Sequence, residues 1–200
     1  MNDRSARSMA AAARAVALVA VALVAVAALS GCKDDGGEEG ATRPFRSEGR
    51  AGIVLVEGSE RYSRGEWRKH GDFVFRDDRG DIVSRGAYVD GLEEGPWEQV
   101  YDDGATGRGS YVKGDRSGPW TTHHRNGQPQ DVGSYERGMR VGLWVSRRDD
   151  GTLLREAEYA KGVLSGRVVW YGPDGSTIDF EKSGRYRRGK RTGPLRTASR

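Results

Sequence analysis

Three histidines, one cysteine and a recurring set of aspartate pairs are the residues of this 200-residue chain whose types could carry out chemistry. A nucleophilic triad needs Ser or Cys beside a His and an acid. His70 stands alone, and His123 and His124 are adjacent, so in a strand they point to opposite faces and do not share a site. Zinc needs paired Cys or closely spaced His, and neither pattern occurs. The pairs Asp77-Asp78, Asp102-Asp103 and Asp149-Asp150 invite a calcium reading, but turn-forming aspartates that bond their own backbone account for them with less. Glycine-rich stretches such as Gly107-Arg108-Gly109 resemble phosphate loops only in composition, because no helix follows to supply its N-terminus. The expectation is therefore no catalytic residue, no metal and no enzyme.

Cys32 is the only cysteine, which excludes an internal disulfide. It follows a basic segment, residues 1–14, and an uncharged Ala/Val/Leu run over 15–28. That run has the length of a signal-peptide core and falls short of the ~20 residues of a spanning helix. It ends in Leu29-Ser30-Gly31-Cys32, which resembles the lipobox of bacterial lipoprotein precursors. The resemblance implies cleavage before Cys32 and covalent lipid on its thiol, with no other cofactor. It further implies export and lipid anchoring in the bacterial cell envelope, where Lys33 in place of Asp favours an outer membrane if two membranes are present. Residues 1–31 are then a signal peptide and 32–48 the lipidated Cys with a flexible linker. Its polar, Gly-rich part, 33–44, would span on the order of 20 Å.

The elements that follow are set by a repeat. Glycine is abundant, 30 residues against an ordinary ~7%. Glycines 71, 95, 118, 142 and 166 recur at about 24 residues, and each is followed nine residues later by another, at 80, 104, 127, 151 and 175. Asp-Gly or Asn-Gly between short strand-like runs signals a hairpin, because such turns need φ > 0. A large apolar side chain stands two residues after each leading glycine: Phe73, Trp97, Trp120, Trp144 and Val168, then Leu195. A tyrosine closes each unit: Tyr88, Tyr111, Tyr135, Tyr159 and Tyr186. Two residues before each tyrosine the side chain is small: Gly86, Gly109, Gly133, Ala157 and Gly184. Since i and i−2 share a face of a strand, the small residue leaves room for a neighbouring ring. The pattern predicts a ladder of Trp/Phe and Tyr rings on one face of a continuous meander. The fold class expected is all-β, an elongated antiparallel meander of about five hairpin repeats of ~24 residues. Residues 49–70 form a degenerate opening unit, 71–195 the array and 196–200 a basic tail.

The string Tyr-x-x-Gly-x-x-x-Gly-x-Trp, present at Tyr88–Trp97, Tyr111–Trp120 and Tyr135–Trp144, resembles the MORN repeat, most closely the bacterial antitoxin-type variant. The later units depart from it at Val168 and Leu195. The resemblance implies a scaffold that binds protein, in one version shielding its own cell from a toxin acting in the envelope. Exposed strand residues such as Gln99, Thr122 and Ser146 would then meet the partner, whose identity the sequence leaves open. Net charge is only +4, and most of the chain is balanced, so no nucleic-acid partner is expected. Arg185, Arg187, Arg188, Lys190 and Arg191 are the exception. They support the alternative of an envelope scaffold or spacer whose basic end touches anionic lipid or polymer.

Overall fold

Polar and apolar positions alternate through each repeat and a glycine stands at each chain reversal, which is the pattern of paired short strands. The computed structural model describes residues 37–195. The strands are β1 (Thr42–Glu48), β2 (Val54–Ser63), β3 (Glu66–Lys69), β4 (Gly71–Arg76), β5 (Ile82–Val89), β6 (Leu92–Val100), β7 (Thr106–Val112), β8 (Asp115–His123), β9 (Pro129–Glu136), β10 (Met139–Arg147), β11 (Leu153–Ala160), β12 (Val163–Trp170), β13 (Gly184–Arg187) and β14 (Lys190–Gly193). All belong to one antiparallel sheet ordered β1-β2-β4-β5 and onward to β14, with β3 paired to β2 beside β4. Strands adjacent in sequence are thus adjacent in space. The protein is an all-β meander of hairpin repeats, and its end strands β1 and β14 leave the sheet unclosed. Leu29, Ser30, Gly31, Cys32 and the tail 196–200 lie outside the described residues.

One segment differs from its sequence reading. Residues 42–48, taken as the end of a flexible linker, are β1, paired with β2 from Thr42↔Arg61 to Glu48↔Val54. Phe45 supplies the reason, since its ring packs 5.9 Å from Phe73 and gives this polar strand an apolar contact.

The two sheet edges carry different turns. At one edge the reversals are Arg64-Gly65, Asp90-Gly91, Lys113-Gly114, Arg137-Gly138, Lys161-Gly162 and Arg188-Gly189. Both residues of each pair have positive φ, for example 51° and 85° at Lys113-Gly114. These are two-residue type I′ turns. At the opposite edge the Asp-Gly and Asn-Gly positions do form hairpins, but by another route. Only the glycine there has positive φ, as in Gly104 at 80°. Gly104 N donates to Tyr101 O and Tyr101 N to Ala105 O, both at 2.8 Å, a type I turn closed by a glycine bulge. The aspartate secures it from its side chain: Ala105 N donates to Asp103 Oδ1 at 2.9 Å and Thr152 N to Asp150 Oδ1 at 2.8 Å.

The leading glycines bend the strands. Between the pairs Arg85↔Glu98 and Ala87↔Glu94, three residues of β6 face a single residue of β5. The same mismatch recurs between β7 and β8 and between β9 and β10. Such a bulge kinks the strand, and here it swings each tryptophan over the glycine of the preceding strand. A Cβ added at Gly86, Gly109 or Gly133 would run into the indole of Trp97, Trp120 or Trp144.

Candidate functional site

The sheet is one layer thick, so its two faces and two turn edges are the surfaces available for function. One face is given over to rings. Centroids follow one another from Phe73–Tyr88 (5.1 Å) through Tyr88–Trp97 (5.2 Å), Trp97–Tyr111 (5.7 Å), Tyr111–Trp120 (5.6 Å), Trp120–Tyr135 (5.9 Å) and Tyr135–Trp144 (5.1 Å) to Trp144–Tyr159 (6.5 Å). Each contact is edge to face, the arrangement that aromatic quadrupoles favour. Phe73, Tyr88, Trp97, Trp120, Trp144 and Val168 are buried, while Tyr111, Tyr135 and Tyr159 are half-buried. Tyr186 is half-buried opposite Gly166, beyond the last ring contact.

Cations roof this ladder, a feature absent from the sequence reading. The Arg116 guanidinium lies 4.3 Å from the Trp120 ring and 5.5 Å from Tyr135. Arg140 repeats the arrangement over Trp144 at 4.2 Å and Tyr159 at 5.6 Å, and the Lys69 ammonium sits 4.8 Å from Tyr88. A desolvated cation–π contact is worth ~2 kcal/mol. Burial pushes the Lys69 ammonium below its ordinary pKa, opposed by Glu93 and Glu60. Burial also pushes the Tyr88 phenol well above its usual value. Burial pulls the Arg116 guanidinium down, but its hydrogen bond to the Tyr111 hydroxyl and the nearby Tyr111, Tyr101 and Tyr135 together hold it above its ordinary range. The signal was present in the sequence: Lys69, Arg116, Arg140 and Arg191 each stand four residues before a ring position or its replacement, with Glu93 and Leu164 interrupting the series.

The ring face is also where Gln99, Thr122 and Ser146 lie, which corrects their assignment as exposed partner-facing residues. Ser146 is buried, with its hydroxyl donating to Asp131 Oδ1 at 2.5 Å, and Thr122 Oγ1 accepts from Asp131 N at 3.1 Å. Two-residue alternation counted from Trp97, Trp120 and Trp144 puts all three beside the rings.

The opposite, outer face is open. Pro96, Pro119, Leu143 and Arg167, each immediately before a ring position, are exposed on it. Glu98 there accepts from Arg85 Nε at 2.6 Å and pairs with Arg108 at 3.1 Å, bridging three adjacent strands. Further along the same face, on β9 and β10, Val132 is 42% and Leu143 54% exposed.

The Asx-turn edge holds His124 and the paired aspartates. His124 Nε2 lies 2.9 Å from Arg147 O, Asn126 Nδ2 donates to Asp149 O at 2.7 Å, and Arg148 donates to Tyr171 O at 2.9 Å. The turns at 124–128, 148–152 and 171–175 are thereby tied one to the next. A shallow depression of about 390 Å³ opens among Asp103, His124, Arg125, Asn126 and Asp149. No group of three His, Cys, Asp or Glu among the described residues could hold a metal ion. The aspartates are occupied by their own turns. Bonds from Thr177 and Ser176 hold the Asp174 carboxyl far below the usual carboxylate range, and Thr152 lowers Asp150.

The basic residues of the last hairpin are exposed: Arg185, Arg187, Arg188, Lys190 and Arg191. Arg191 is nonetheless tied down, donating to Ser183 O at 2.6 Å. No protein-family model matches the chain, and no curated protein matches it.

Proposed function

We propose that this protein is a non-enzymatic protein-binding module built on a MORN-like repeat sheet and held at a membrane by lipid on Cys32. The observation that carries the reading is the division of labour between the two faces. Rings, glycines and cations fill one face, while the other stays exposed, with the ladder Arg85–Glu98–Arg108 on β5–β7 and the apolar Val132 and Leu143 further along on β9 and β10. Exposed apolar side chains and arranged charge on one face are the materials of a protein interface. Export and anchoring rest on the Leu29-Ser30-Gly31-Cys32 motif. The antitoxin-type resemblance supplies one specific version: immunity against a toxin that acts in the envelope.

Leu143→Arg tests this. It alters an exposed side chain, so stability should change by less than ~0.5 kcal/mol. At the centre of an interface it should weaken capture of the partner by ~30-fold or more, the effect of losing a ~2 kcal/mol hot spot. Cross-linked pull-down with mass spectrometry should give one dominant partner with the wild type and none with Leu143→Arg. Equal recovery by the two would refute the outer face as the binding surface.

A further inference from the structure

We infer that the outer face ends, on β12 to β14, in a cationic corner that receives an acidic segment of the protein partner. This deepens the protein-binding reading and rests on it.

The corner is built by register. Arg167 on β12 stands directly opposite Arg185 on β13, and Arg187 on β13 stands opposite Lys190 on β14. Arg167 is on the outer face, and two-residue alternation along β13 puts Arg185 and Arg187 there with it. Lys190 shares the face of the residue it opposes. Arg191, opposite Tyr186, turns to the ring face, where it donates to Ser183 O at 2.6 Å. Like charges directly opposite in a sheet are destabilising, and here two such pairs lie side by side. All four residues are exposed, and none forms an ion pair with another described residue.

The acids of this region do not cancel them. Glu158 accepts from the backbone N of Arg167 and Glu156 from the Tyr171 hydroxyl, both at 2.9 Å. Asp174 is held by Ser176 and Thr177, and Asp179 pairs with Lys182 at 2.9 Å. Glu181 is exposed on the same connection. Residues 156–193 carry eight cations against these five acids. The other charged stretch of the outer face, Arg85–Glu98–Arg108, is satisfied within the sheet.

Continuity with the apolar residues makes the corner part of a protein site. Leu143 pairs with Glu158, Glu158 binds the backbone of Arg167, and Arg167 pairs with Arg185. Leu143 and Arg185 are thus three strand spacings apart, about 14 Å. One partner seated on Val132 and Leu143 reaches both. Three of the four cations are arginines, whose planar forks match carboxylates with paired hydrogen bonds. Opposite charge across an interface fixes orientation and speeds encounter.

Charge reversal separates the free protein from the complex. R185E/K190E turns both like-charge pairs into opposite-charge pairs, so the melting temperature of the free protein should rise. The same variant should bind a fluorescein-labelled decaglutamate peptide about tenfold more weakly by anisotropy. In the producing cell, the protein adduct from a photoreactive side chain at Leu143 should fall by a similar factor in R185E/K190E. A photoreactive side chain at Thr192, whose hydroxyl donates to Arg185 O at 3.2 Å, should mark an Asp/Glu-rich stretch of the same partner. R185Q/K190Q, which removes charge without reversing it, serves if the first variant does not fold. No adduct from Leu143 in the wild type would refute the outer-face reading and the corner with it. A Leu143 adduct undiminished in the variant, a Thr192 adduct with lipid or anionic polysaccharide, or a lowered melting temperature would each overturn the corner and leave that reading standing.

Discussion

The fit between glycine and tryptophan can be measured as a coupling energy. Gly133 has an extended backbone, not a positive φ, so alanine is conformationally allowed there. By backbone entropy alone Gly133→Ala would stabilise by ~0.4–1 kcal/mol. Its Cβ would instead occupy space held by the Trp144 indole. Overpacking of this kind costs ~1–3 kcal/mol, so net destabilisation of about 1–2 kcal/mol is expected. Trp144→Val removes a ring that is 1% exposed, together with the bond from its Nε1 to Ser134 O at 3.2 Å. By comparison with other large-to-small core changes it should cost ~3 kcal/mol. The protein already contains the compensated pair: where Val168 replaces tryptophan, Ala157 replaces glycine, and both are fully buried. The double variant Gly133→Ala/Trp144→Val should therefore be more stable than the sum of the single effects by ~1–2 kcal/mol, a normal coupling for contacting residues. Urea unfolding followed by circular dichroism gives the four free energies, with equal m-values as the check that the cycle is valid. Additivity within ~0.5 kcal/mol would refute the argument that each ring is seated on its glycine.

Three other outcomes follow from the same geometry. Arg140→Met keeps most of the apolar stem but removes the charge over Trp144 and Tyr159, and it should lower stability by ~1–2 kcal/mol in thermal melts, with partial recovery in Arg140→Lys. Lys161 has φ of 50°, so Lys161→Asn should stabilise by a few tenths of a kcal/mol up to ~1, and Lys161→Val should destabilise by ~1–2, read as opposite shifts in melting temperature. The depressed Asp174 carboxyl contributes stability that is present above its unfolded pKa of ~3.9 and is lost as pH falls towards its folded value. The urea midpoint difference between wild type and Asp174→Ala should thus be constant from pH 5 to 8 and shrink in stronger acid, as a series of unfolding curves would show.

The repeat, the hairpin count and the alternation of strands were legible because glycine spacing and period-two patterning are local properties of the chain. Less local features were hidden to different degrees. Gln99, Thr122 and Ser146 look exposed because they are polar, yet their parity with Trp97, Trp120 and Trp144 puts them on the ring face, and parity is the stronger rule. The turn types were exchanged between the edges: Asp-Gly drew attention as the hairpin signal, while all the two-residue turns except Asp90-Gly91 carry Lys or Arg before glycine, which have no strong propensity for positive φ. Residues 42–48 read as linker because Pro44 and three charged residues mask a strand whose order comes from β2 and Phe73. The cations above Trp120 and Trp144 were spelled out at a fixed distance from them, but only the bulge at the intervening glycine folds the two side chains together.

The most direct test of the central claim, that the outer face meets a partner while the ring face is internal, is site-specific photo-crosslinking in the producing cell. A photoreactive side chain would be placed at Leu143 on the outer face and, separately, at Gln99 on the ring face. The account predicts one discrete adduct from Leu143 and none from Gln99. An adduct from Gln99 with none from Leu143 would contradict it.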